Sequence, residues 1–133
     1  MSINSISNSV TKAIGPVAKI KSKEFFPNGR LRRVICTNGD ALDWHKNGKR
    51  ACFSDKQGRI KAFGKDGKII FEHIPDVGNR FYEPDGSFEE HSMMERIVKY
   101  FDSNKTLREE YLPDGTHKKW DENGKLIHID LPV

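Results

Sequence analysis

Tyr82-Glu-Pro-Asp-Gly86, Phe101-Asp-Ser-Asn-Lys105 and Trp120-Asp-Glu-Asn-Gly124 repeat one pattern at intervals of 19 residues. The interval extends back through Phe63-Gly-Lys-Asp-Gly67, Trp44-His-Lys-Asn-Gly48 and Phe25-Phe-Pro-Asn-Gly29. All six starting positions are aromatic in a chain that is only 10% aromatic, so the period is a property of the fold. Asn-Gly and Asp-Gly supply the positive φ that tight hairpin turns demand.

A second turn falls midway through each repeat. Asn38-Gly39, Gln57-Gly58 and Asp114-Gly115 keep the 19-residue phase; Asp76-Val77-Gly78 comes one residue late, and Glu95-Arg96 has no glycine. Between turns lie short runs of strand formers: Leu31 to Cys36, Ile69 to Phe71, Ile97 to Phe101 and Leu126 to Ile129. Consecutive strands joined by short turns pair antiparallel. The expected fold is therefore all-β: an antiparallel meander of tandem 19-residue hairpin repeats with ten or eleven strands, as a single curved sheet or an open barrel-like array. Residues 89–101 also fit a helical spacing through Met93, Met94, Ile97, Val98 and Phe101, but the repeat phase favours strand. Residues 1–22 lie outside the period, lack acidic residues and break at Gly15-Pro16, so a flexible N-terminal arm is expected there, with the repeat domain over 23–133.

Aromatic positions one repeat apart are two strands apart, about 9.5 Å, too far for direct ring contact. Phe25, Trp44, Phe63, Tyr82, Phe101 and Trp120 are expected to form a structural column wedged along a buried face. Two residues before each ring stand Lys23, Leu42, Lys61, Arg80, Lys99 and Lys118, five of the six basic. Strand alternation puts this column on the face of the rings. Three readings compete: pairing with the rings, aliphatic stems covering them, or a stripe at Lys61, Arg80, Lys99 and Lys118 that binds an anionic partner. A further basic set, Arg30, Lys49, Lys68 and Lys125, follows the turn glycines and reads as solvated hairpin ends. Cys36 and Cys52 are two strand steps apart, beyond the roughly 7 Å that a disulfide spans, and are expected to be free thiols.

No catalytic, metal or cofactor site is expected. The five histidines, His45, His73, His91, His117 and His128, occupy five different phases of the repeat. Glu89-Glu90-His91-Ser92 would alternate between faces of a strand, and no phosphate loop, nucleophile elbow or zinc signature occurs. A net charge of +4 is spread over 23 basic and 19 acidic residues without a like-charge block, which places nucleic acid and anionic lipid behind protein as partners. No apolar run approaches the roughly 18 residues that span a bilayer. The first residues lack the basic and apolar regions of a Sec signal, so the expected location is cytoplasmic, with secretion by a non-Sec route as the alternative.

The unit aromatic-x-x-[Asn/Asp]-Gly-[Lys/Arg]-Leu resembles two β-hairpin arrays. Residues 101–126 look like the YD repeats of bacterial Rhs proteins, and residues 25–129 look like the degenerate MORN repeats of small bacterial MORN-variant antitoxin proteins. The resemblance implies a non-enzymatic protein-binding repeat module of antitoxin or immunity type. Two alternatives stand beside it: a type III-secreted effector or accessory protein, from the composition of the first 22 residues, and an anionic-polymer or membrane-surface binder using the basic stripe. A two-faced sheet that is 35% apolar must curl, self-associate or bind a partner.

Overall fold

The computed structural model describes residues 19–132, all in strands, turns and connecting segments with no helix among them. Twelve strands follow in chain order: β1 (Ile20–Phe25), β2 (Leu31–Cys36), β3 (Ala41–Trp44), β4 (Arg50–Ser54), β5 (Ile60–Phe63), β6 (Ile69–Ile74), β7 (Gly78–Tyr82), β8 (Phe88–Ser92), β9 (Val98–Phe101), β10 (Leu107–Tyr111), β11 (His117–Trp120) and β12 (Leu126–Asp130). Sheet order is sequence order, the expected antiparallel meander, with one or two more strands than the ten or eleven foreseen. The chain divides into two compact units between Gly67 and Lys68, β1–β5 in the first and β6–β12 in the second. Residues 1–18 of the expected arm lie outside the described residues, while Ile20–Ser22 at its end belong to β1.

One turn design recurs. Phe26 N–H donates to Arg30 O at 2.8 Å and Gly29 N–H to Phe26 O at 2.9 Å; the same pair of bonds closes the turns at His45–Lys49, Cys36–Asp40 and Leu112–Thr116. This is a three-residue loop whose last residue is left-handed. Glycine fills that place at φ between 85° (Gly124) and 95° (Gly39), but at one turn Lys105 takes it at φ 65°. Side chains close the loop in one of two ways. Asn28, Asn47 and Asp114 accept the N–H two residues on. Asp55, Asp102 and Asp121, at the loop's start, accept two N–H groups each. The backbone and side-chain bonds from Thr116 hold the Asp114 carboxyl below its usual range.

The aromatic turns at Phe25, Trp44, Phe101 and Trp120 are each followed by a bulge, so the pairing skips Arg32, Ala51, Arg108 and Ile127. The β7–β8 hairpin lacks it: Tyr82 faces Phe88 and Phe81 faces Glu89 without a shift. The next turn makes good the loss. Ser92 N–H reaches Ile97 O, five residues on instead of four, and Arg96 adopts φ 56°. One residue fewer in the strand and one more in the turn return Phe101 to phase. The stretch 89–101, open between strand and helix in the sequence, is thus β8, a turn and β9, with Met93 and Met94 exposed. At the irregular turn before it, a Cβ on Gly78 would lie 1.9 Å from His91 O, so only glycine fits.

The aromatic column is not the core that was expected. Phe25 is 50% exposed and the other five rings are half-buried. The buried side chains stand largely on the intervening strands. In the first unit they are Leu31, Val34, Cys36, Ala41 and Leu42, with Trp44 packed against the cluster of Leu31, Val34 and Cys36. Val34 faces Leu42 in register and both are fully buried, worth about 1.5–3 kcal/mol each. In the second unit Phe88 fills the gap between column members: its ring is 5.0 Å from Tyr82 and stacks at 4.6 Å on Phe101. A column two strands apart leaves the strand between free to take the interior, and smaller side chains do so.

Both cysteines are free, Cys36 buried and Cys52 half-buried, on strands that flank β3 from either side. Burial first, and the Asp40 charge second, push the Cys36 thiol up. Burial and then Asp43 do the same to Cys52, against a smaller opposing effect of Arg33. Few thiolates therefore exist at neutral pH.

Two measurements check this account. Lys105→Gly relieves a left-handed lysine and should raise stability by about 0.5–1 kcal/mol, read as a higher denaturant midpoint at unchanged slope. A lower midpoint would contradict the turn geometry. A colorimetric thiol reagent should leave Cys36 unmodified in the native protein and titrate it only with global unfolding; rapid native labelling of Cys36 would contradict its burial.

Candidate binding face

Strand alternation gives the second unit two faces of different chemistry. On one, the aromatic-column face, direct cross-strand partners form the row Glu72–Arg80–Glu90–Lys99–Glu110–Lys118–Ile129. The expected basic stripe is here, but every cation has a carboxylate beside it. Arg80 Nε lies 2.8 Å from Glu90 Oε2 and its Nη1 3.6 Å from Glu72 Oε1; Lys118 Nζ is 3.8 Å from Glu110 Oε1. Tyr82 donates its hydroxyl to Glu72 at 3.2 Å, and the Arg80 guanidinium stands 5.3 Å over the Phe88 ring. Arg80 thus fits the first of the competing readings, pairing with a ring of the intervening strand, and its charge is met by carboxylates. Lys61, in the first unit, faces Phe53 and is exposed.

The basic residues after the turns are not all solvated ends. Arg30 donates to Lys46 O at 3.2 Å, Lys49 to Asp66 O at 3.1 Å and Lys68 to Pro84 O at 3.2 Å. Each reaches forward to the next aromatic turn. Beside them Asn47 Nδ2 donates to Lys65 O, and His45 Nε2 contacts Phe63 O, both at 2.8 Å. An open hollow of about 500 Å³ lies at these turns of the first unit, lined by Phe26, Trp44, His45, Lys46, Asn47 and Lys65.

The opposite face of the second unit was not anticipated. One row runs Phe71–Phe81–Glu89–Tyr100–Glu109–Lys119–His128 and the next runs His73–Asn79–His91–Val98–Tyr111–His117–Asp130. Four of the five histidines gather here despite their different repeat phases, because only parity along a strand decides the face. Phe81 packs 5.3 Å from both Phe71 and His91. Tyr100 and Tyr111 meet edge-on at 5.8 Å and 78°, and Tyr111 stacks on His117 at 4.0 Å. Glu89 bonds His91 at 2.5 Å, Glu109 bonds His117 at 3.1 Å and Asp130 bonds His128 at 2.8 Å. Phe81 and Tyr111 remain 45% and 40% exposed. Burial first, then the charge of Glu89, pushes the Tyr100 hydroxyl up; for Tyr111 the causes are burial and then Glu109. Among the described residues no three or more His, Cys, Asp or Glu side chains are placed to hold a metal ion.

Residues 113–130 match the family model of the MORN repeat variant. The matched segment contains β11, its aromatic turn and β12, which is one repeat of the array. The period and shared turn geometry relate the other repeats to it, so the chain is a tandem β-hairpin array with a MORN-like repeat. The match carries nothing toward YD repeats of Rhs proteins or toward antitoxin activity. No curated protein matches the chain. Among the described residues no helix is long and apolar enough to cross a membrane.

The Arg80–Glu90 contact is partly exposed and should be worth at most about 1 kcal/mol. A double-mutant cycle with Arg80→Ala and Glu90→Ala should return a coupling of about 0.2–1 kcal/mol that shrinks with added salt. Zero coupling at low salt would refute the charge row.

Proposed function

We propose that the chain is a non-enzymatic protein-binding repeat module whose working surface is the Phe81–Tyr111 face of the second unit. The observation that carries this reading is that two aromatic rings stay well exposed on a sheet face whose polar side chains are already bonded to one another. Such a face gains apolar contact when covered, and aromatic residues are the usual anchors of protein interfaces. The opposite face, with its cations met by carboxylates, offers an anionic polymer or membrane surface less net charge than the basic column alone suggested. The MORN-like repeat supports an interaction module in general. The antitoxin or immunity reading rests on the sequence resemblance, and the secreted-effector reading on the first 22 residues; the fold adds an observation to neither.

The full chain used as bait should retain a partner, or a second copy of itself, that is lost by about tenfold or more in Phe81→Ser/Tyr111→Ser, because anchor truncations cost on the order of 2 kcal/mol. Light scattering of the free chain separates self-association from a foreign partner. Identical capture by both baits, or capture by neither in a chain that stays monomeric, would overturn the reading.

A further inference from the structure

We infer that this face binds a basic protein segment, an arginine- or lysine-bearing strand or loop, at the Tyr100–Tyr111 corner between Glu89 and Glu109. The inference rests on the protein-binding reading above and names the chemistry of its partner. Three features converge on it. First, Glu89, Tyr100 and Glu109 are consecutive partners in one row, so a carboxylate stands on each side of the Tyr100 ring across the sheet. Second, Tyr111 meets Tyr100 nearly at right angles, giving two ring surfaces at one corner. A cation over such rings is attracted by their π faces, and a carboxylate beside them adds its own charge attraction. Third, the carboxylates of this face pair with histidines, where those of its reverse pair with arginine and lysine. There, Glu72, Glu90 and Glu110 lie within ion-pair distance of Arg80 or Lys118. Here the ion-pair partners of Glu89 and Glu109 are histidines. The two rows carry three carboxylates, Glu89, Glu109 and Asp130, against one lysine, Lys119. A chain of net charge +4 thus presents a locally acidic, aromatic surface. The raised Tyr100 and Tyr111 hydroxyls, pushed up by burial and then by Glu89 and Glu109 respectively, accord with a negative field at that spot.

Cation and ring have separate roles. Glu89 and Glu109 would fix a guanidinium or ammonium head, and Arg is favoured because its planar fork both stacks on a ring and pairs with a carboxylate. Phe81, next to Glu89 in the row, would take an apolar neighbour of that cation. An extended segment with a basic and an apolar side chain two residues apart fits, because both then point to the same side.

The test uses the full chain, isotope-labelled, titrated with the eight-residue peptide Arg-Ser-Val-Ser-Arg-Ser-Val-Ser. The peptide's counterpart with glutamate for arginine serves as control. Saturable shifts should centre on Glu89, Tyr100, Glu109 and Tyr111, and added salt should weaken them. Glu89→Gln/Glu109→Gln should reduce affinity by about tenfold or more while leaving the spectrum folded. Tyr100→Phe, which keeps the ring, should bind nearly as wild type, whereas Tyr100→Leu should not. Absence of saturable binding, equal binding of the acidic peptide, shifts centred elsewhere, or indifference to the double glutamate change would each overturn the inference. A captured partner that depends on Phe81 and Tyr111 but not on Glu89 and Glu109 would sink this inference and leave the protein-binding reading standing.

Discussion

The fold depends on the pair of backbone bonds that closes each three-residue turn, with one residue held at positive φ. Without that closure the short strands would have no fixed register, because four to six residues with mixed polarity pair ambiguously on their own. With it, every strand is delivered beside its predecessor at a set offset, and side chains far apart in sequence fall into straight rows across the sheet. The chemistry described above is a property of those rows. Glu89, Tyr100 and Glu109 share a line only because the intervening turns place them there.

Much of this could be read from the residues. The aromatic-to-glycine phrase gave strand order, antiparallel pairing and the position of nearly every turn, and the spacing of Cys36 and Cys52 foretold two free thiols. The basic column was also visible at Lys61, Arg80, Lys99 and Lys118. Its neutralisation was half visible: Glu72 and Glu110 are 38 residues apart, two repeats, and occupy the half-repeat position. The member between them by strict count is His91, which hides the acidic column. The missing bulge in β8 moves Glu90 into the row and turns His91 to the reverse face. A one-residue change in pairing inverts the direction of each side chain, and counting along the sequence cannot detect it.

The burial pattern was harder to read for a different reason. The spacing of the aromatic rings suggested a column wedged along a buried face, but burial in an array depends on what the intervening strand contributes. Opposite Phe25 stands Leu31, opposite Trp44 stands Arg50 and opposite Tyr82 stands Phe88, and the exposure of each ring depends in part on such neighbours. The histidine- and tyrosine-bearing face escaped notice because its four histidines share no repeat phase. They share strand parity, which becomes meaningful only once register is known.

The forward contacts from Arg30, Lys49 and Lys68 give the array a direction. Each post-turn cation seeks its acceptor 16 or 17 residues ahead, never behind. Adding or removing one complete 19-residue segment would hand each of these donors an equivalent carbonyl, whereas another increment would displace it. A sheet of this kind could lengthen or shorten by whole segments without redesigning those joints.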